Sequence, residues 1–294
     1  MENKYEKIKT VCPVCRTADI GFFTAKNSCD VYKCNDCRLL FVWPKSSGSV
    51  SVYSESYFKG GAGGHGYVDY NVDKLAMSAI WDAYLERIGK FLPNKGKLLD
   101  VGAATGVFLQ AAKKRSWAVD GIELVDWAAQ KAREADLEVK TGVLSDFSQE
   151  MVDFDVVTYF DVLEHLSDPD DELRLVYKIL KPGGLLIINT PDAGSWLARI
   201  LGKRWHLLTP PEHLIIFNRN NLTQLLKDRG FEVLKVEKIG KRFTLQYVFR
   251  TLANWQKIAL WHRLAKFLEN NRLGKVSISI NLRDNFFVVA RKVC

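Results

Sequence analysis

The stretch Leu98-Leu99-Asp100-Val101-Gly102-Ala103-Ala104-Thr105-Gly106 constrains the fold of this 294-residue chain more than any other. Leu98 and Leu99 end a short apolar run, as a buried parallel strand does, and Asp100 stands at its carboxyl end. Gly102 and Gly106 bracket a tight turn, and Val107-Phe108-Leu109-Gln110-Ala111-Ala112 then begins a helical pattern. A strand, a glycine loop and a helix in that order form the unit at which open α/β sheets bind nucleotides. The bland alternative is a glycine turn that only joins a strand to a helix.

The dinucleotide fingerprint G-x-G-x-x-G fails, because its three glycine places hold Gly102, Ala104 and Val107. Asp100 would repel a pyrophosphate at the mouth of the loop, and no Lys or Arg lies between Leu98 and Ala112 to compensate. The same carboxylate suits a ligand that carries an ammonium group and a sulfonium, which is S-adenosylmethionine (SAM).

A chain of this length, 47% hydrophobic, can bury a large core and support a small extra domain. No run approaches the ~20 apolar residues of a membrane span. The first ten residues, MENKYEKIKT, lack the apolar core of a signal peptide, so the expected location is cytoplasmic. The net charge of +8 is unevenly placed. From Gly202 to Cys294 there are eighteen Lys and Arg against six Asp and Glu, leaving twenty-four against twenty-eight in the rest. A basic C-terminal third favours an anionic partner, and a solvated basic face is the competing reading.

Four of the six cysteines are paired as Cys12-x-x-Cys15 and Cys34-x-x-Cys37, with eighteen residues between the pairs. In a cytosolic chain this is the spacing of a zinc ribbon, whose two knuckles complete a tetrahedron of thiolates around Zn2+. A redox C-x-x-C pair is the alternative, and two pairs at this separation disfavour it. Cys29 and Cys294 fall outside the pattern as free thiols without a role.

The ribbon takes residues 1–45. Residues 46–97 read as a linker, a lid and a leading helix. Within them, 53–70 mix Tyr53, Tyr57, Phe58, Tyr67 and Tyr70 with five glycines, the composition of a mobile lid. From Leu98 to Cys294 strands and helices alternate, so the expected fold class is α/β. It is a Rossmann-like, seven-stranded, mostly parallel sheet ending in an antiparallel hairpin made by 276–282 and 286–290. Lys181-Pro182-Gly183-Gly184 reads as a turn into a strand at Leu185–Asn189. Residues 241–272 interrupt the alternation with apolar residues at helical spacing among basic ones, one or two amphipathic helices. This insertion either roofs the acceptor site or rests on a membrane surface through Trp255, Trp261 and its basic flank.

Four acids fall at four consecutive strand ends. Glu123 follows the glycine loop by about 20 residues, where an acid accepts from ribose hydroxyls. Asp146 can take an adenine amino group while Phe147 covers the ring. Asp161 closes the next strand, just before Glu164-His165. Singly, each is most often a cap or turn residue.

These pieces resemble the class I SAM-dependent methyltransferases. The resemblance is carried by LLDVGAATGVFL, by Glu123, by Ser145-Asp146-Phe147, and by residues 154–192 from FDVVTYFDVLEHL to INTPD. It covers nearly all of the chain from Leu98 to about Gly240 and is closest to the ubiquinone-biosynthesis-type branch through Glu164-His165. It implies that Asp100, Gly102 and Gly106 hold the methionine end, Glu123 the ribose, and Asp146 with Phe147 the adenine; Ala104 and Asp161 complete the expected cofactor-binding set. Ala104 departs from the family, which usually has glycine there. Family members with an N-terminal zinc ribbon often act in cell-surface sugar or secondary-metabolite pathways.

The segment after the strand at 185–189 carries the acceptor-side candidates. His213 is the first candidate for general base, with Glu212 or Glu164 to orient it, because histidine titrates near neutral pH. His165 and His206 are weaker candidates, and His65 requires lid closure. Alignment alone also accelerates methyl transfer, which leaves His213 a purely structural alternative.

The sequence therefore points to a SAM-dependent methyltransferase that O- or C-methylates a small molecule or glycan precursor, anionic or lipid-linked. The rivals are an RNA methyltransferase that uses the ribbon on RNA, and a non-catalytic SAM-binding protein. The ribbon is only mildly basic, through Lys26, Lys33, Arg38 and Lys45, which disfavours RNA; nothing in the sequence points to DNA.

Overall fold

In the ribbon, Asn27 and Ser28 both adopt left-handed backbone (φ 50° and 62°), the geometry of a tight two-residue hairpin turn. They join β1 (Ile20–Lys26) to β2 (Cys29–Cys34), and the second knuckle then leads into β3 (Leu40–Val42), whose three residues are all buried. The computed structural model describes residues 10–44, 78–256, 258–269 and 271–293. The lid reading of 53–70, with His65, lies outside the described residues, as does Cys294.

The middle of the chain is built of α1 (Ser78–Gly89), β4 (Lys97–Val101), α2 (Val107–Lys114), β5 (Ala118–Glu123), α3 (Asp126–Glu134) and β6 (Glu138–Thr141). Then follow α4 (Leu144–Phe147), β7 (Phe154–Phe160), α5 (Pro169–Ile179), β8 (Leu180–Pro191), α6 (Trp196–Leu201) and β9 (Ile215–Ile216). The last stretch holds α7 (Arg219–Asp228), β10 (Phe231–Lys238), β11 (Lys241–Thr244), α8 (Leu245–Gln256), α9 (Ala259–Glu269), β12 (Ser277–Ile280) and β13 (Asn285–Lys292).

The seven-stranded sheet has the order β10-β13-β8-β7-β4-β5-β6. Its β4–β5, β5–β6 and β7–β8 pairs are parallel, and β13 runs antiparallel to both β8 and β10. The α/β class read from the sequence is the class observed. The partners at the antiparallel end differ in detail: residues 277–280 pair with β11 rather than with β13. Residues 286–290 of β13 are all buried, and a continuous apolar run of that kind is stable where strands cover it on both sides. Lys181-Pro182-Gly183-Gly184 is a bulge inside β8 rather than a turn before it. Phe154 opposes Leu180 while Val156 opposes Leu185, and Gly183 takes φ 76°.

By contacts the chain forms two compact units. One comprises Met1–Val52, Leu144–Lys238 and Arg283–Cys294, with Phe154, Tyr159, Trp205, Phe217, Phe231, Phe286 and Phe287 in its core. In it the ribbon sheet gains a fourth strand, β9, in the order β1-β2-β3-β9. The other comprises Tyr53–Val143 and Ile239–Leu282, with Ile88, Leu98, Leu99 and Leu109 in its core. There α8 and α9 pack on each other, Phe249 against Trp261, and Ala253, Ala265 and Leu268 are buried. Leu260 and Phe267 of α9 remain more than half exposed. Among the described residues no helix is long and apolar enough to cross a membrane.

Candidate functional site

In the unit that contains it, the loop after β4 is built on backbone that L-residues avoid. Gly102 (φ 79°), Ala104 (φ 48°) and Gly106 (φ 78°) are all left-handed. A Cβ at Gly106 would lie 2.3 Å from Leu137 Cδ1 and 3.1 Å from Ala132 Cβ, so glycine is needed there for space as well as for φ. Ala104 accepts the strained φ and tucks its methyl against Ala128. Asp100, in β4 opposite Gly121, is 4% exposed.

Glu123, the last residue of β5, reaches back to this loop. Its Oε2 accepts from the Ala104 N–H at 2.8 Å and its Oε1 from the Val125 N–H at 2.9 Å. Burial lifts its carboxyl above the usual carboxylate range, against the pull of those backbone donors. Each oxygen accepts more than one hydrogen bond, so the carboxylate both fixes the loop and can take ligand hydroxyls. The sequence pointed to Glu123 as a ribose acid and gave no sign that it shapes the loop.

The remaining cofactor candidates lie in the other unit. Asp146 is exposed on the short helix α4 and Phe147 is half-buried beside it. Asp161 (φ 58°) closes β7, where its carboxylate accepts from Asn189 Nδ2 at 2.9 Å and its N–H donates to the Asn189 carbonyl.

The same unit gathers the acceptor-side candidates. His165 and His213 stand edge to face with ring centroids 4.9 Å apart. His213 Nδ1 donates to the Leu207 carbonyl at 2.6 Å, and His165 Nδ1 to the Glu212 carbonyl at 2.7 Å. A carbonyl only accepts, so both Nδ1 atoms carry their protons and a neutral ring keeps its basic lone pair on Nε2. Burial lowers the pKa of His165, opposed by its contacts with Glu212 and Asp161. Orientation of His213 thus comes from Leu207, a backbone group that no residue-type pattern reveals. The Glu212 backbone carbonyl serves His165. Glu164 is 1% exposed, accepts from Thr190 Oγ1 at 2.8 Å, and holds the Leu214 N–H through its carbonyl. Glu164, His165 and His213 offer ligand atoms within 4.8 Å of one another, close enough to share a cation. His206 lies elsewhere, 3.4 Å from Asp284.

Cys12, Cys15, Cys34 and Cys37 bring their sulfurs within 4.8 Å of one another. The Cys12–Cys37 and Cys15–Cys34 separations are both 3.5 Å. A disulfide is ~2.05 Å. Four thiolates at ~2.3 Å from one ion stand roughly 3.8 Å apart, so the donor set fits a tetrahedral zinc. Hydrogen bonding between the two thiols draws Cys12 down to about 5 and pushes Cys37 up.

Comparison with known proteins identifies the family. Residues 74–236, more than half of the chain, match the family described as "Methyltransferase domain". The ubiquinone biosynthesis O-methyltransferase of Yersinia pestis (strain Pestoides F) is 32% identical over 154 residues, 49% of this chain and 60% of that enzyme. The enzyme of the same name from Pectobacterium atrosepticum is 31% identical over 126 residues, 39% of this chain and 52% of that one. The chain thus spans little more than half the length of these relatives. A SAM-dependent methyltransferase structure from Archaeoglobus fulgidus superposes with TM-score 0.50 at 19% identity, over 73% of this chain and 94% of that one. This chain therefore belongs to the methyltransferase domain family and has the fold of the SAM-dependent enzymes.

Proposed function

We propose that the protein transfers a methyl group from SAM to an oxygen or carbon of a small molecule or glycan precursor. The observation that carries this reading is the carboxylate of Glu123 bonded to the left-handed loop at Ala104, with Asp100 buried alongside on β4. Bound there, SAM supplies a sulfonium methyl that an acceptor takes by in-line displacement. Asp100 neutralises the ammonium group, Glu123 accepts from the ribose hydroxyls, and Asp146 with Phe147 receives the adenine. Nε2 of His213 takes the proton that an O- or C-acceptor loses. The four cysteines hold one structural zinc.

The basic C-terminal third supports an anionic acceptor. The exposed Leu260 and Phe267 beside the exposed Arg263 and Lys266 support contact of 241–272 with an anionic membrane, and hence a lipid-linked acceptor. The test is release of S-adenosylhomocysteine when the protein is given SAM with catechols, nucleotide sugars, lipid-linked sugars or bulk RNA. Turnover on one of the first three supports the reading. Turnover on RNA alone replaces it with the nucleic-acid reading, and SAM binding without turnover on any acceptor replaces it with a non-catalytic role.

A further inference from the structure

We infer that the four-cysteine ribbon is the element that positions His213, so that the metal of the ribbon controls the order of the acceptor loop. The inference rests on the reading of this loop as acceptor-side, and its physical content stands apart from that reading.

The loop Trp205–Phe217 has little regular structure of its own: its only strand is the two-residue β9, which a pair of backbone partners must hold in place. Those partners are in the ribbon. Leu40 and Phe41 of β3 pair with Ile216 and Ile215, and the Val42 N–H donates to the Leu214 carbonyl at 2.9 Å. The hairpin turn adds two more ties. Asn27 Nδ2 donates to the Pro210 carbonyl at 2.8 Å and Lys26 Nζ to the Trp205 carbonyl at 3.4 Å. The second knuckle reaches the far end of the loop, where the Cys37 carbonyl accepts from Asn218 Nδ2 and Asn221 Nδ2 at the start of α7. His213 sits between the Asn27 tie at Pro210 and the β9 tie at Ile215. Its Nδ1 donates to the Leu207 carbonyl, and the next residue, Leu214, donates its N–H to the Glu164 carbonyl.

A segment as small as the ribbon draws its folding free energy from metal binding rather than from a core of its own. Loss of the metal should release β3, and with it the backbone pairing of β9. The competing account is that the buried Trp205, Leu208 and Phe217 hold the loop without the ribbon.

Hydrogen exchange on the full-length chain separates the two without any acceptor. Metal is removed by a chelator after mercurial titration of the thiols, and peptides covering 208–217 are followed. The expected result is at least tenfold faster exchange there, with 98–143 unchanged and SAM affinity kept. Rapid exchange in 10–44 with 208–217 still protected overturns the inference. Should metal removal unfold 144–238 altogether, the metal-loaded Asn27→Gly chain decides. Glycine tolerates the φ of 50° at this position while the tie to Pro210 is lost. A shifted His213 C2-proton resonance, assigned through His213→Gln, with zinc content unchanged supports positioning through the ribbon. An unshifted resonance overturns it. If His213 proves not to be the base, acceptor turnover survives His213→Gln while the exchange result stands.

Discussion

Glu123 and Ala104, nineteen positions apart, are joined by one hydrogen bond of 2.8 Å from the Ala104 N–H to the Glu123 carboxylate. That bond ties the end of β5 to the loop after β4. One side chain thereby sets the shape of the loop and presents an acceptor to whatever the loop binds.

Glu123→Ala should weaken SAM binding by about 1–3 kcal/mol, measured by calorimetry, because hydrogen bonds to ribose are lost and the loop donors are left without their acceptor. Wild-type affinity should also fall on acidification. Burial raises the Glu123 pKa, so the carboxylate form is lost at a pH above the ordinary carboxylate range. Ionised Glu123 is a cost to the apo fold above its folded pKa, relieved as pH falls through that value toward the unfolded one. Apo stability and SAM affinity should therefore move in opposite directions over that window. Affinity that stays flat while Glu123 protonates would remove Glu123 from the ribose site.

Elemental analysis of protein purified without added metal should give close to one zinc per chain. Cys34→Ser should lose it. A well-ordered ribbon with no metal at all would contradict the tetrathiolate assignment.

With an acceptor in hand, His213→Ala should lower turnover by roughly 10²–10⁴ if Nε2 takes the proton, with SAM affinity kept. A loss below about threefold leaves alignment of the two reactants as the source of rate.

Flotation with vesicles tests the 241–272 face. The wild type should float with anionic vesicles at low salt and not with neutral ones, each basic side chain near the surface contributing about 1 kcal/mol. Leu260→Asp with Phe267→Asp, both at exposed positions, should abolish flotation and leave thermal stability within about 0.5 kcal/mol. Unchanged flotation of the double variant, or none by the wild type, removes this face from membrane contact.

Ala104→Gly should be close to neutral. It relieves a left-handed alanine, worth about 1–2 kcal/mol, but loses a buried methyl and frees the unfolded chain by about 0.5–1 kcal/mol. Thermal denaturation that shows a loss above ~2 kcal/mol would mean that the methyl group packs more tightly than its contact with Ala128 indicates.

Strand ends and glycine loops are readable in the sequence because they obey local rules. Apolar runs mark β4 and β7, and Gly106 marks a turn that no side chain fits. The four cysteines are equally legible, since their paired spacing alone predicts that they gather, as they do. What escapes is whatever depends on backbone from a distant part of the chain. Neither Leu207 nor Thr190 carries a residue-type signal for its role, because one acts through a carbonyl and the other through a fold-dependent hydroxyl contact. Strand β9 escapes for the same reason: two isoleucines look like core until β3 is beside them. The pairing of β12 was hidden by the brevity of β11, whose four residues leave too short a pattern to distinguish a strand from the start of a helix.

The fourth strand of the ribbon sheet also bears on how this chain can be cut. A protein beginning at residue 46 would keep Leu214, Ile215 and Ile216, all buried in the intact chain, but would lose the strand that covers them. It would thus carry an uncovered apolar edge with unsatisfied amides, a template for another copy to add itself. The shortened chain should self-associate, so its insolubility would be a symptom of an orphaned edge and would say nothing against the integrity of the sheet that remains.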